Sequence, residues 1–162
     1  MIYLDSSAIV KLVRAEDSSE ALQSWIDQRA DMLLVTSALA RAEVFRAVRR
    51  NNHTDSGALI DPVAFEAELA QATAVLDAIG QIAIDDTILH RAGVFPAPMI
   101  RTLDAIHLAS AAEFAPSTLT FVTYDHRLAI EAQGVGIAVL APADPPDFLS
   151  AASPQASSGP AR

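Results

Sequence analysis

Short apolar runs and amphipathic stretches alternate along this chain, and polar turn residues mark the junctions between them. Ile2-Tyr3-Leu4 is a strand-like run that stops at Asp5-Ser6-Ser7; apolar residues then recur at Ala8, Ile9, Leu12 and Val13 with helical spacing. Asp17-Ser18-Ser19-Glu20 is a helix-start cluster, with Asp17 or Ser18 as N-cap, and Ala21, Leu22, Trp25 and Ile26 give that helix its buried face. The run 32–36 predicts a second strand, and Ser37 is placed to cap a long helix through Ala42, Val44, Phe45 and Val48 to about His53. Residues 51–57 read as a loop. Asp61-Pro62, an N-cap followed by proline in the first turn, opens a helix carrying Phe65, Leu69, Ala72 and Leu76 to Gly80. A third strand is expected over 81–84, followed by a helix capped by Asp85, and Pro96 and Pro98 then break the chain. An alanine-rich helix over 102–115 stops at Pro116. Residues 119–123 predict a fourth strand, Tyr124-Asp125 a turn, and Leu128, Ala129 and Ile130 a helix closed by Gly134 before a fifth strand over 136–140.

Strands alternating with amphipathic helices define an α/β class: an α/β/α sandwich around a mostly parallel central sheet of about five strands, of Rossmann-like topology. At 162 residues, with 51% hydrophobic and only 6% aromatic, the chain can bury one sizeable core made of Ala, Leu, Ile and Val. One domain is expected over 1–140, followed by an Ala/Pro/Ser-rich tail over 141–162, expected to be largely disordered. No apolar run reaches the length of a membrane span. A strand beginning at Ile2 leaves no room for a signal peptide, and the absence of cysteine excludes disulfides, thiolate metal sites and a cysteine nucleophile. A cytoplasmic protein is the expectation. The net charge of −9 counts against nonspecific nucleic-acid coating, though not against an enzyme that holds a few nucleotides locally.

Four acids, Asp5, Glu43, Asp104 and Asp125, each fall just past a strand or early in the following helix. A parallel sheet carries all its strand C-termini to one edge, so these carboxylates can meet in one cleft. Crowded like charges favour protonation unless a cation intervenes, and oxygen-only donors suit Mg²⁺ or Mn²⁺ rather than zinc. A metal-dependent nuclease is therefore the leading reading. The plainer alternative makes Asp5 and Asp125 helix caps and Asp104 a complement to a helix dipole. Glu43 is too deep in its helix to cap, and pairing with Arg46 or Arg50 is its bland role. Asp85-Asp86 reads as capping. Ser6, Ser7 and Thr123 are candidate supporting hydroxyls. His107, one turn after Asp104, could ligate a metal, but such a histidine is more commonly packed between helices. Arg46, Arg49, Arg50 and His53 form a basic stripe on the Glu43 helix; with Arg41 and Arg101 they are candidates for holding substrate phosphates, or they are simply solvated. No glycine-rich phosphate loop or nucleophile elbow is present.

The segments Ile2-Tyr3-Leu4-Asp5-Ser6-Ser7, Ser37-Ala38-Leu39-Ala40-Arg41-Ala42-Glu43, Leu103-Asp104-Ala105-Ile106-His107-Leu108-Ala109 and Phe121-Val122-Thr123-Tyr124-Asp125, in that order and spacing, resemble the PIN domain. Within it they resemble the VapC toxin ribonucleases of bacterial toxin–antitoxin pairs, over roughly residues 2–140. The resemblance implies an endoribonuclease dependent on Mg²⁺ or Mn²⁺, with Asp5, Glu43, Asp104 and Asp125 as its acidic quartet. It also implies an RNA substrate, dimerisation and neutralisation by a VapB antitoxin, and the tail is not part of the pattern. Two other classes compete: a PIN-like protein-binding module whose acids only cap helices, and a phosphoacceptor receiver domain. The second is disfavoured because Lys11 is the sole lysine and Ser6 and Ser7 stand where a second early acid is expected.

Overall fold

The computed structural model describes residues 1–142, so most of the expected tail lies outside the described residues. Five strands form one sheet: β1 (Ile2–Leu4), β2 (Leu34–Ser37), β3 (Gly80–Ile82), β4 (Thr120–Val122) and β5 (Ala138–Leu140). Their order is β3-β2-β1-β4-β5 and every pairing is parallel. The helices are α1 (Ser6–Val13), α2 (Ser19–Asp27), α3 (Leu39–Asn51), α4 (Pro62–Asp77), α5 (Asp86–Gly93), α6 (Thr102–Ala111) and α7 (His126–Gly134).

Side-chain alternation along the strands builds the two sides of the sandwich. Ile2, Leu4 and Val122 join Ala8, Ile9, Leu22, Val44, Phe65 and Leu76 in a core beneath α1 to α4. Tyr3 and Phe121, one position out of phase, face the other way and pack with Leu108, Ala111, Leu128 and Ala132 of α6 and α7. The register Tyr3↔Phe121 stacks those two rings at 4.9 Å. From β1 the chain builds outward through β2 and β3, then crosses back to place β4 on the other side of β1. A crevice opens beyond the strand ends where such a sheet changes direction. Here that point lies between β1 and β4, and Asp5 and Thr123 are the first residues beyond those two strands.

Several boundaries differ from the pattern-based expectation. β2 starts at Leu34 rather than Met32 and takes in Ser37, so Ala38 is the N-cap of α3, although the Ser37 hydroxyl still accepts the Leu39 N–H at 3.3 Å. Gly80 belongs to β3, not to the end of α4; a Cβ there would lie 3.4 Å from the Leu34 carbonyl oxygen, so the small residue suits close strand approach. α6 ends at Ala111, four residues early, as the chain tightens into turns before Pro116. The left-handed glycine after α7 is Gly136, with φ of 82°, whereas Gly134 is still helical.

Candidate active site

Asp5 follows β1 and caps α1, where its Oδ1 accepts the Ala8 N–H at 2.9 Å. Two hydroxyls wire it to the β4–α7 turn. Ser7 donates to Asp5 Oδ1 at 2.7 Å and accepts the Tyr124 N–H; Thr123 donates to Oδ2 at 2.8 Å and accepts the Asp125 N–H. Burial pushes the Asp5 carboxyl up from its ordinary range, and the neighbouring His107 and these hydrogen bonds offset only part of that.

Glu43, in the second turn of α3, reaches into the same space. Its Oε2 accepts from the Ser6 hydroxyl and from His107 Nε2, the latter at 2.8 Å. His107 is buried in α6 and its Nδ1 lies 2.8 Å from the Tyr3 hydroxyl, which itself accepts the Ser37 N–H at 3.1 Å. With its oxygen accepting from the backbone, the phenol donates to Nδ1, which leaves the proton on Nε2 for Glu43. Burial, then the charge of Asp5, raises the Tyr3 phenol well above its usual value and keeps it a donor. Burial of Glu43 favours its neutral form, but the hydrogen bond and electrostatic pull of His107 and the Ser6 hydroxyl outweigh it, so its carboxyl titrates below the ordinary range.

Asp104, in the first turn of α6, and Asp125, the N-cap of α7, form the other wall. Asp125 caps through Oδ1, which accepts the Arg127 and Leu128 N–H groups. Asp104 accepts no hydrogen bond among the described residues. Burial first, then the charge of Asp125, raises its carboxyl; Arg101 and His107 pull the other way, and Glu43 adds to the rise. All four acids line one cleft of about 320 Å³, together with Ser6, Ser7, Arg101 and His107.

The other candidates separate. Arg101 lines the cleft, but Arg41 is tied to Asp77 of α4. Arg46, Arg49 and Arg50 line a second hollow with His53, Thr54 and Asp55. Asp85 caps α5 through the Ile88 N–H, as expected. Pattern reading gave His107 a packing role and Tyr3 none beyond the strand; the structure joins them as the support of Glu43. The available signal was a polar-tipped aromatic in an otherwise aliphatic strand.

The donor set suits a hard divalent cation: carboxylate oxygens without thiolates, and a half-buried Asp104 loaded by like charges that a cation would relieve. As they stand, no three acidic or histidine side chains among the described residues converge tightly enough to enclose an ion.

A profile of the PIN domain matches residues 2–132. The chain belongs to the PIN-domain family, on the VapC branch. It is 40% identical over 145 residues to Ribonuclease VapC35 of Mycobacterium tuberculosis, covering 88% of this chain and 97% of that protein. To Ribonuclease VapC46 of the same species it is 39% identical over 141 residues, with 87% and 97% covered. The crystal structure of M. tuberculosis VapC20, a sarcin-ricin loop cleaving toxin, superposes with a TM-score of 0.60 at 14% identity. That match covers 88% of this chain and all of the other, and it speaks for the fold. None of the described helices is long and apolar enough to cross a membrane.

Proposed function

We propose that this protein is an endoribonuclease dependent on Mg²⁺ or Mn²⁺ and acts as the toxin of a toxin–antitoxin pair in the cytoplasm. In this reading it cleaves RNA, inhibits translation and is neutralised by a VapB-type antitoxin. The observation that carries it is the meeting of Asp5, Glu43, Asp104 and Asp125 in one cleft at the sheet's switch point, in a chain close in sequence to proteins named as ribonucleases.

Asp5, Asp104, Asp125 and Glu43 would hold the cation, which when bound supplies charge neutralisation and Lewis acidity toward a phosphoryl oxygen. Asp5 is fixed in orientation, because Ser7, Thr123 and the Ala8 N–H hold both its oxygens in place. Glu43 is kept ionised and aimed by His107 and Ser6 through Oε2, which suits it to orient the attacking group through its other oxygen. Arg101 stands beside Asp104 as the cleft's own cation for a substrate phosphate. A homodimer belongs to the same reading, and the exposed Leu89, Val94 and Met99 offer apolar area for a second copy to bury.

The capping roles of Asp5 and Asp125 favour one rival, a protein-binding module without activity. Capping occupies a single oxygen of each, so it does not compete with a catalytic role. Cleavage of total RNA by the purified protein decides between them. Activity is expected to vanish with EDTA and return with Mn²⁺ or Mg²⁺; undiminished activity in chelator overturns the metal dependence, and none under any condition overturns the enzyme.

A further inference from the structure

Four of the cations outside the cleft are spoken for. Lys11, Arg14, Arg41 and Arg91 each face a carboxylate, at Glu16, Glu68, Asp77 and Glu113. Among the described residues, no carboxylate pairs with Arg46, Arg49 or Arg50, although the chain carries a net charge of −9. These three guanidiniums line one surface hollow of about 400 Å³ with His53 and Thr54, against a single acid, Asp55. The hollow is braced from α4. The Arg49 guanidinium lies over the Phe65 ring at 5.7 Å, His53 meets that ring edge-on at 5.4 Å, and His53 Nδ1 bonds the Arg49 carbonyl at 2.6 Å.

Its position on α3 ties it to the acid cleft. Arg46 follows Glu43 by one turn and Arg50 by two, close to the same helix face, so the hollow's far side lies about 10 Å along the helix from the cleft. One phosphate cannot occupy both places, but one strand can. Resting on the ribonuclease reading above, we propose that this hollow is a second phosphate site: it holds a neighbouring phosphate of the RNA strand whose scissile bond lies among the four acids. Planar, unneutralised guanidiniums suit phosphate oxygens, and the brace on Phe65 reduces the ordering that binding requires.

The test pairs two triple variants of the full chain, Arg46→Gln/Arg49→Gln/Arg50→Gln and Arg14→Gln/Arg29→Gln/Arg91→Gln. They remove equal charge, the second from arginines that already have partners. Binding of a fluorescent single-stranded RNA in EDTA is followed from ~50 to ~200 mM salt, where each released counterion weakens affinity. The first triple is expected to flatten the log–log salt slope by about 2 and to weaken binding at low salt by about tenfold or more. The second is expected to leave both near wild type. With metal restored, kcat/KM on that RNA should fall in the first triple, while turnover of a dinucleoside monophosphate, which has only the scissile phosphate, should not. An unchanged slope, or equal losses in both triples, overturns the proposal. So does a first triple that keeps RNA binding and instead loses retention of a co-expressed antitoxin. A wild type that neither binds nor cleaves RNA brings down the ribonuclease reading as well, whereas a cleaving wild type with an unchanged triple condemns the hollow alone.

Discussion

The two walls of the acid cleft use the same functional group in opposite ways. On the β1–α3 wall, Asp5 and Glu43 are wired in: three donors hold Asp5 and two hold Glu43, drawn from α1, α6 and the turn after β4. On the α6–α7 wall, Asp104 accepts no hydrogen bond among the described residues and Asp125 is fixed through one oxygen only. A carboxylate surrounded by donors is positioned before any ligand arrives. One that is half-buried beside another carboxylate, with no donor to hold it, is an unfavourable charge until something positive joins it. The cleft thus pairs a preorganised half with a half whose electrostatics improve on ligation.

The largest expected effect treats the two walls alike. Asp5→Asn and Asp104→Asn should each fold, by circular dichroism, and each should lower RNA cleavage by about 10²-fold or more, because each removes a charge from the proposed cation site. Wild-type rates from either would unseat that residue. Stability is where the walls should part. Asp5→Ala removes the α1 cap and strips acceptors from Ser7 and Thr123, at a cost of about 2 kcal/mol in urea unfolding. Asp104→Ala leaves no donor stranded and should stay within about 0.5 kcal/mol of wild type. Equal losses would dissolve the distinction between the walls. A smaller effect probes the wiring itself: Tyr3→Phe leaves the Ser37 N–H without its acceptor and His107 Nδ1 without its donor. It should cost about 1–2 kcal/mol and lower cleavage about tenfold, with KM little changed.

The smallest effect is in the pH dependence without metal. Asp104 has its carboxyl raised in the folded protein, so the folded state binds more protons than the unfolded chain between the ordinary value of 3.8 and the raised one. Its contribution is therefore fully present below the ordinary value and is lost as pH rises through the raised value. Glu43, lowered in the fold, acts with the opposite sign: its contribution is present above its ordinary value of 4.5 and is lost as pH falls through the lowered one. Asp104→Asn should accordingly melt about 1–3 °C above wild type at neutral pH in EDTA, and the gain should fade below pH ~4. A gain that persists at low pH would mean that the substitution acts through packing, not charge.

How much of this was legible along the chain follows from how local each feature is. Caps at Asp61, Asp85 and Asp125 depend on N–H groups two or three residues away, and the sequence pattern carries them directly. The alternation of strands and helices carries the layered parallel sheet, and with it the expectation that strand-end acids share an edge. Strand limits are less legible, because pairing decides them: Met32 and Leu33 are as apolar as Leu34, yet the ladder begins only at Leu34. The support of Glu43 joins positions 3, 43 and 107 from three elements, and no periodicity brings those into register. The same holds for Arg41, whose partner Asp77 lies 36 residues on, and for Ser7 and Thr123, whose hydroxyls knit turns more than a hundred residues apart.

A parallel sheet has two unlike ends, and this one places the first residue at the end away from the cleft. The Met1 ammonium bonds the Thr118 carbonyl at 3.0 Å, ahead of β1 and β4, whereas the four acids gather beyond the far ends of those strands. An attachment made through the N-terminus therefore leaves the cleft facing away from whatever holds the protein. Tethering by that end to a sensor chip or an optical surface would present the acids to passing RNA, so residence times could be read one molecule at a time without the support standing in the path.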